Sequence, residues 1–389
     1  MILTINSGSS SLKFALYRVA AEPQRLLHGQ IGRLGHEDAA MRCCSAAGEV
    51  LEQRSLPHAD HPAAAELMLD WLTQHGSLTT VQIAVHRVVH GMQHSQPERL
   101  TPALLDELRS YTAHAPDHLP QAIGLMERVG QRRAQLPQLV CFDTAFHRSM
   151  PAVARRLALP RRYTEQGLQR YGFHGLSCEY LMYRLQQLED PAARQGRVIL
   201  AHLGNGASMT AVRDGQSVDT TMAFTPAAGL VMSTRVGDID PGLPGYFARH
   251  ARMDAEQFHR MVNFESGLLG VSGHSGDMRE LLAREDHDAQ AAEAVELFCY
   301  QARKALGALT AVLGGLDTLV FSGGIGEHAP TVRARMCAGL GYLGLDLDPA
   351  RNARADDLIS TDTSGVRVRV LATDEEQMLA RHAATALTR

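Results

Sequence analysis

Two stretches half a chain apart share one grammar: an apolar strand, a turn of small polar residues, then a second strand. In the first, Ile2-Leu3-Thr4-Ile5 runs into Asn6-Ser7-Gly8-Ser9-Ser10-Ser11 and leaves as Leu12 to Val19. In the second, Val198 to Ala201 runs into His202-Leu203-Gly204-Asn205-Gly206-Ala207-Ser208 and continues as Met209 to Arg213. Asp214-Gly215 then turns the chain into Ser217 to Thr220. The repetition suggests a duplicated α/β unit facing itself across a cleft. Hairpins are common, so the pattern alone leaves the duplication open.

The rest of the chain alternates strands with helices, which points to the α/β class. Helical spacing covers Ala63 to His75 and Pro102 to Ala113, each with Pro near the first turn. Val81 to Val89 is a buried strand ending at His90-Gly91, and Leu139 to Phe142 is a short one with Asp143 at its end. A long helix over Ala289 to Leu313 passes through Gly314-Gly315 into the strand Asp317 to Phe321. That strand opens onto Ser322-Gly323-Gly324-Ile325-Gly326-Glu327, with a helix after Pro330 and a strand over Val366 to Leu371. In such sheets ligands sit beyond the carboxyl ends of strands. Arg87 to Gly91, Asp143, Asn205-Gly206 and Gly323 to Gly326 all fall there.

Composition removes several classes of function. With 38 basic and 42 acidic residues the net charge is −4, too balanced for coating nucleic acid or an anionic membrane. No apolar run reaches the roughly 18 residues of a spanning helix, and the start shows no basic and apolar leader. The six cysteines form no CxxC pair, so free thiols in a reducing cytoplasm are expected. Lys13 and Lys304 are the only lysines.

Three Gly/Ser-rich loops follow apolar strands. Each is a tight turn or a phosphate cradle of backbone N–H groups, and three in one α/β chain favour nucleotide. Walker A and GxGxxG are both absent, which disfavours P-loop and dinucleotide folds. Nineteen histidines include no HExxH, so structural zinc is not expected. Glu375-Glu376 either opens the last helix or holds Mg²⁺, which prefers oxygen ligands. Arg87 ends a buried strand. Arg235 lies in an apolar loop-like stretch, and its anionic partner is Asp238, Asp240 or a bound anion.

At these residues the chain resembles the acetate kinase family of acyl-phosphate-forming kinases, within the superfamily of sugar kinases, actin and chaperone ATPases. The matches run from Asn6-Ser7-Gly8-Ser9-Ser10-Ser11-Leu12-Lys13 through His86 to Gly91, Phe142 to His147, Arg170 to Gly175, His202 to Ser208, Phe224-Thr225-Pro226, Thr234 to Pro241, Ser266 to Gly273 and Phe321 to Glu327, ending at Asp374-Glu375-Glu376. The resemblance implies two duplicated ribonuclease H-like, actin-like ATPase domains around a central nucleotide cleft. It places an N-terminal domain over 1–147 plus about 377–389, with the acyl substrate and a phosphate loop. A C-terminal domain over 148–376 would bind nucleotide and form a homodimer. It implies Mg-ATP (or Mn²⁺ in place of Mg²⁺) plus a short carboxylate giving ADP and an acyl phosphate, reversibly, in the cytoplasm, with no nucleic-acid or membrane partner. By motif, Asn6 and Glu375 fall on the metal positions. Lys13 and His202, Leu203, Gly204, Asn205 and Gly206 fall on phosphate contacts. Asp277, Met278, Arg279 and the loop Gly324, Ile325, Gly326, Glu327, His328 fall on the nucleoside site. Arg87 and Arg235 fall on substrate arginines, and Asp143 and His174 on catalytic positions. Val89, Phe173 and Pro226 fall on the pocket for the acyl methyl.

The chemistry agrees with that assignment. A carboxylate titrates near 4 and needs no general base at neutral pH. Its difficulty is anion approaching anion, so the site must supply positive charge and in-line alignment. Arg87 suits the carboxylate; Arg235 and His174 suit the moving phosphoryl group; Asp143 is expected to orient an arginine or Mg²⁺. Without the resemblance, the residues alone favour a hydrogen-bonded core histidine at His174 and plain packing at Phe173 and Pro226 over functional roles. Four departures stand out: Met92 where a second Gly is usual, Ala227-Ala228 where Leu-Glu is common, His328 where Asn is common, and a loose stretch over Tyr111 to Leu119. Ala113 falls where the family's pocket has Leu, which opens room for a longer acid such as propionate, while Val89 favours acetate. The alternatives are therefore a propionate kinase of the same family and a non-catalytic ATP-binding regulatory protein.

Overall fold

The computed structural model describes residues 1–8 and 11–388; Ser9 and Ser10, the middle of the first expected turn, lie outside the described residues. The chain divides into two units: Met1–Ala145 together with the chain from Asp374 on, and Phe146–Thr373. The divisions fall two and three residues before the expected 147 and 376. The shift has a physical basis. Phe146 packs with the core of the second unit, whereas Asp374, Glu375 and Glu376 bond to Arg25 and Asn6 of the first.

The first unit is built on an eight-stranded sheet: β1 (Ile2–Ser7), β2 (Ser11–Arg18), β3 (Gln24–Gly32), β4 (Ala40–Ser45), β5 (Val50–Ser55), β6 (Ile83–Val88), β7 (Glu98–Arg99) and β8 (Gln138–Phe142). Its order is β5-β4-β3-β2-β1-β6-β8-β7. The hairpin β1–β2 is antiparallel, while β1–β6 and β6–β8 are parallel. The parallel strands are buried along almost their whole length, as expected for strands covered on both faces. The helices His61–Gln74 and Leu119–Arg132 contribute Leu69, Leu72, Leu125 and Val129 to the core under Leu3, Ile5 and Phe14. The helix Glu375–Thr388 packs on β1 and β6 through Met378, Leu379 and Ala383.

The second unit has five strands: β9 (Arg197–Leu203), β10 (Ala207–Arg213), β11 (Gln216–Thr220), β12 (Thr318–Ser322) and β13 (Arg367–Val370), in the order β11-β10-β9-β12-β13. β9–β10 is antiparallel, and β9–β12 and β12–β13 are parallel. This is the pattern β3-β2-β1-β6-β8 of the first sheet, so the duplication left open by the hairpins is present in the topology. The helix Gly175–Gln187 covers the sheet through Cys178, Leu181 and Leu185. The helix Ala289–Leu313 has the expected bounds. Asp288 caps its start, and Gly314, at φ +71°, ends it in the left-handed region glycine tolerates.

Two expected elements differ. The helix from Pro102 stops at Ser110, and Thr112–His114 forms a separate 3₁₀ turn. The expected loop after Ser322 is instead the short helix Gly323–His328, closed because the Glu327 carboxylate reaches back to accept the Gly323 N–H at 2.8 Å. Among the described residues no helix is long and apolar enough to cross a membrane.

Candidate active site

In the first unit the strand register sets the chemistry side by side. Asn6 on β1 lies level with Lys13 on β2 and with Arg87 on β6. Level neighbours share a sheet face, so an ammonium, an amide and a guanidinium form one row. Arg87 Nη1 donates to Asn6 Oδ1 at 3.0 Å, and Nη2 donates to Asp143 Oδ2 at 2.8 Å. Its Nε lies 3.6 Å from Glu375 Oε2. Asn6 Nδ2 donates to Glu375 Oε2 at 2.9 Å and to Glu376 Oε1 at 3.2 Å. Asp143 is held at the end of β8 by its N–H donating to Val88 O, and its side chain is almost wholly buried. Burial depresses the Arg87 pKa, but the Asp143 carboxylate, then Glu375, outweigh it and the net shift is upward. Burial raises the Glu376 pKa, with Lys13 opposing. The pair Glu375-Glu376 opens the last helix and faces Asn6.

The metal donors here are hard oxygens, the Glu375 and Glu376 carboxylates, with the Asn6 amide turned so that Nδ2 faces them and Oδ1 faces Arg87. That suits Mg²⁺, which takes one or two protein oxygens and keeps waters. Among the described residues there is no group of three or more His, Cys, Asp or Glu that could hold a metal ion. Val89 is buried beyond the end of β6, and Gly91 is wedged so closely against Phe142 that an added Cβ would lie 2.6 Å from it. Met92 follows at φ +46°.

In the second unit, His174 stands at φ 58°, ψ 28° where the helix Gly175–Gln187 begins. Its Nδ1 is 2.9 Å from Ser208 Oγ, and its ring lies 4.4 Å from that of His202. Arg235 Nη1 donates to the Pro226 carbonyl at 3.4 Å. Asp238 and Asp240 each accept a backbone N–H, from Gly229 and Gly242. A Cβ on Gly206 would lie 3.3 Å from His174 Nε2 and 3.5 Å from Arg235 Nη1. The glycine thus leaves open a space edged by an imidazole and a guanidinium, a fitting cradle for a phosphoryl group. Phe173 is buried and Pro226 half-buried beside these residues.

A cavity of about 390 Å³, within the usual range for small-molecule sites, lies in the same unit. Gly204 and Asn205, expected at phosphate contacts, and Asp277, Met278, Arg279, Gly324, Ile325 and His328, expected at the nucleoside site, line it. Asp277 caps the helix Met278–Arg284 and pairs with Arg279 at 2.6 Å, which holds its carboxyl below the ordinary range. His202, Leu203, Gly206, Gly326 and Glu327 are not on the wall. Leu203 lies in β9 with its carbonyl against Gly323; Gly326 and Glu327 shape the short helix, their carbonyls accepting from buried Arg333. Sequence reasoning missed Ser233, Gly276, Leu282 and Ala329 on the wall. Leu282 was recoverable, because it lies one helical turn beyond Met278.

Comparison with known proteins gives one consistent result. Residues 1–381 match the acetokinase family. The chain is 43% identical to an acetate kinase of Rhodopseudomonas palustris, covering 98% of this chain and 97% of that one. It is 42% identical to one of Methylocella silvestris, covering 98% and 96%. Among solved structures, a propionate kinase of Francisella tularensis superposes with a TM-score of 0.90 at 34% identity, over 98% of both chains. An acetate kinase of Porphyromonas gingivalis does so with 0.88 at 32%, over 99% of both.

Proposed function

The chain belongs to the acetokinase family, and on that premise we propose that it is an ATP:acetate phosphotransferase, moving the γ-phosphoryl group of ATP to acetate reversibly. The observation that carries the reading is the pair of cationic sets on the two units. Each suits one reactant: Arg87 beside Asp143 for a carboxylate, and His174 with Arg235 around Gly206 for a phosphoryl group. A regulatory nucleotide binder has no physical need for either set.

The residues divide the work. The cavity at Asp277, Arg279 and His328 takes the nucleoside, and the family motif assigns phosphate contacts to the loop 202–206 of the second unit and to Lys13 of the first. Arg87 binds the acid's carboxylate, already ionised at neutral pH. Asp143 acts as the orienter of Arg87 and not as a base, since the 2.8 Å contact is to the guanidinium. Arg235 Nη1 and His174 Nε2 stabilise the equatorial oxygens as charge develops. Asn6 and Glu375, with Glu376 beside them, would hold Mg²⁺, or Mn²⁺ in its place, which supplies charge neutralisation at the phosphates when bound. Val89 of the first unit and Phe173 and Pro226 of the second are the residues that the family motif assigns to the acyl methyl.

A second substrate is favoured by one residue. Ala113, exposed on the turn Thr112–His114, replaces the family's pocket leucine, and one structural relative is a propionate kinase. We propose acetate first and propionate second. A homodimer is supported by the exposed Ile239, Tyr246, Phe264 and Tyr300 of the second unit, and a cytoplasmic setting by six free cysteines.

The test is acyl phosphate formation from Mg-ATP, trapped with hydroxylamine, with acetate, propionate and butyrate in parallel. Acetate leading in kcat/KM by about tenfold, the worth of one methylene, is the expected result. Propionate matching it makes the second substrate the first. ATP binding without turnover of any acid overturns the kinase reading in favour of a regulatory binder.

A further inference from the structure

We infer that His147 is a positioning residue for phosphoryl transfer: its imidazole holds the Phe173 carbonyl and so fixes the left-handed turn on which His174 is mounted. This rests on the role given above to His174.

A residue with a side chain rarely adopts φ 58°, ψ 28°, and such a conformation persists only where its surroundings over-determine it. His174 makes no side-chain cap to its own helix. The determinants lie just before it. The N–H groups of Tyr171 and Gly172 both point to the Ala223 carbonyl, at 3.0 and 3.4 Å. The Phe173 carbonyl accepts from His147 Nε2 at 2.8 Å. A carbonyl only accepts, so Nε2 carries the proton and Nδ1 presents a lone pair. Ser217 Oγ, 3.0 Å away on β11, donates to it. The tautomer is therefore set by the two partners.

The ring's seat is equally specific. Gly172 is at φ +76°, and a Cβ there would lie 2.7 Å from His147 Cγ and Cδ2. His147 itself is wholly buried, on the turn Ala145–Ser149, which is stitched to the same strand by Ser149 Oγ donating to Ser217 O. A chain of contacts thus runs from β11 through His147 to Phe173. It delivers His174 with Nδ1 against Ser208 and Nε2 toward Gly206 and Arg235. Removing the imidazole frees the peptide whose direction aims His174, and leaves the nucleoside cavity untouched.

The experiment compares His147→Ala, His147→Gln and His147→Asn with His174→Ala in the full chain. Gln carries an amide N–H out to the place of Nε2 and keeps the Phe173 contact; Asn reaches only the place of Nδ1. His147→Ala is expected to lose about 10–100-fold in kcat, the scale of a small misplacement. KM for Mg-ATP and Kd for ADP stay within about twofold, because ground-state nucleotide binding is not altered. His147→Gln recovers most of the loss. Wild-type kcat in His147→Ala, or Gln no better than Ala, overturns the inference. Where His147→Ala fails to fold, judged by lost ADP binding, the Gln and Asn variants decide: Gln exceeding Asn in kcat by about tenfold is expected, and equal values overturn it. His174→Ala with full kcat overturns the role of His174 and this inference with it. His174→Ala inactive beside a fully active His147→Ala or His147→Asn overturns the inference alone.

Discussion

Arg87 is held at two nitrogens, by Asn6 and by Asp143. Asp143→Asn removes the one full charge that, among the described residues, is hydrogen-bonded to it and leaves a buried cation short of an anionic partner, a loss on the order of 2–5 kcal/mol for such pairs. The expected outcome is a fall in kcat/KM for acetate of about 100-fold or more with unchanged ADP binding; wild-type kinetics would sink the orienting role. Met92 makes a different point. It is buried at φ +46°, so Met92→Ala and Met92→Gly both lose its packing, but only glycine relieves the backbone. Urea denaturation should find the glycine variant more stable than the alanine variant by about 1 kcal/mol. His86 supplies a pH dependence. Burial pushes its pKa down to about 4, against the opposing hydrogen bond with Gln138. The unfolded chain, titrating near ~6.5, takes up the proton first as pH falls. Stability from the neutral imidazole is whole above that pH and drains away toward pH 4, by about 3 kcal/mol at most. Thermal midpoints of His86→Gln should fall less between pH 7 and 4.5 than those of the parent.

At the level of elements, the strand–loop–strand hairpins, the long helix and the strand ends bearing Arg87 and Asp143 were legible, because apolar runs and glycine turns are local signals. The outer strands β3 to β5 were not: Gln24-Arg25-Leu26-Leu27-His28-Gly29-Gln30-Ile31-Gly32 has too little alternation, and its pairing with β2 is set by register. The helix Gly323–His328 was missed because its closure depends on one long-range-looking but local contact, Glu327 to Gly323. The row Lys13–Asn6–Arg87 was legible only as three motifs, since spacing in sequence says nothing of strand register. Two predictions belong here. Gly206→Ala places a methyl in the space edged by His174 and Arg235 at an ordinary φ, so activity should drop about 100-fold with an unchanged melting temperature. Ala113→Leu, on the turn Thr112–His114, should lower the propionate-to-acetate ratio of kcat/KM by about tenfold; an unchanged ratio removes that turn from the acyl pocket.

Across the whole molecule, two sheets of one topology each carry polar side chains at the corresponding strand ends. His202 is next to last in β9 as Asn6 is in β1, and it lies level with Ser208 and Ser322 as Asn6 does with Lys13 and Arg87. The duplicated frame presents a row of three side chains at the same strand ends, Lys13–Asn6–Arg87 in one sheet and Ser208–His202–Ser322 in the other. The frame is also interrupted. The first unit is finished only by the chain after Thr373, which brings Met378, Leu379 and Ala383 onto β1 and β6 and Glu375 to Asn6. Ending the chain at Thr373 should therefore leave the nucleoside cavity intact but unfold the first unit; fluorescence of Trp71, buried in that unit's core, reports it.

That return of the chain has a consequence for synthesis. Every residue of the second unit, with the cavity proposed for the nucleoside, leaves the ribosome before the helix that completes the first. A nascent or prematurely terminated chain has the residues of that cavity, yet it lacks Glu375 and the packed face behind Asn6. Completion of the first unit, and with it the contact of Asn6 with Glu375, thus waits on the chain after Thr373.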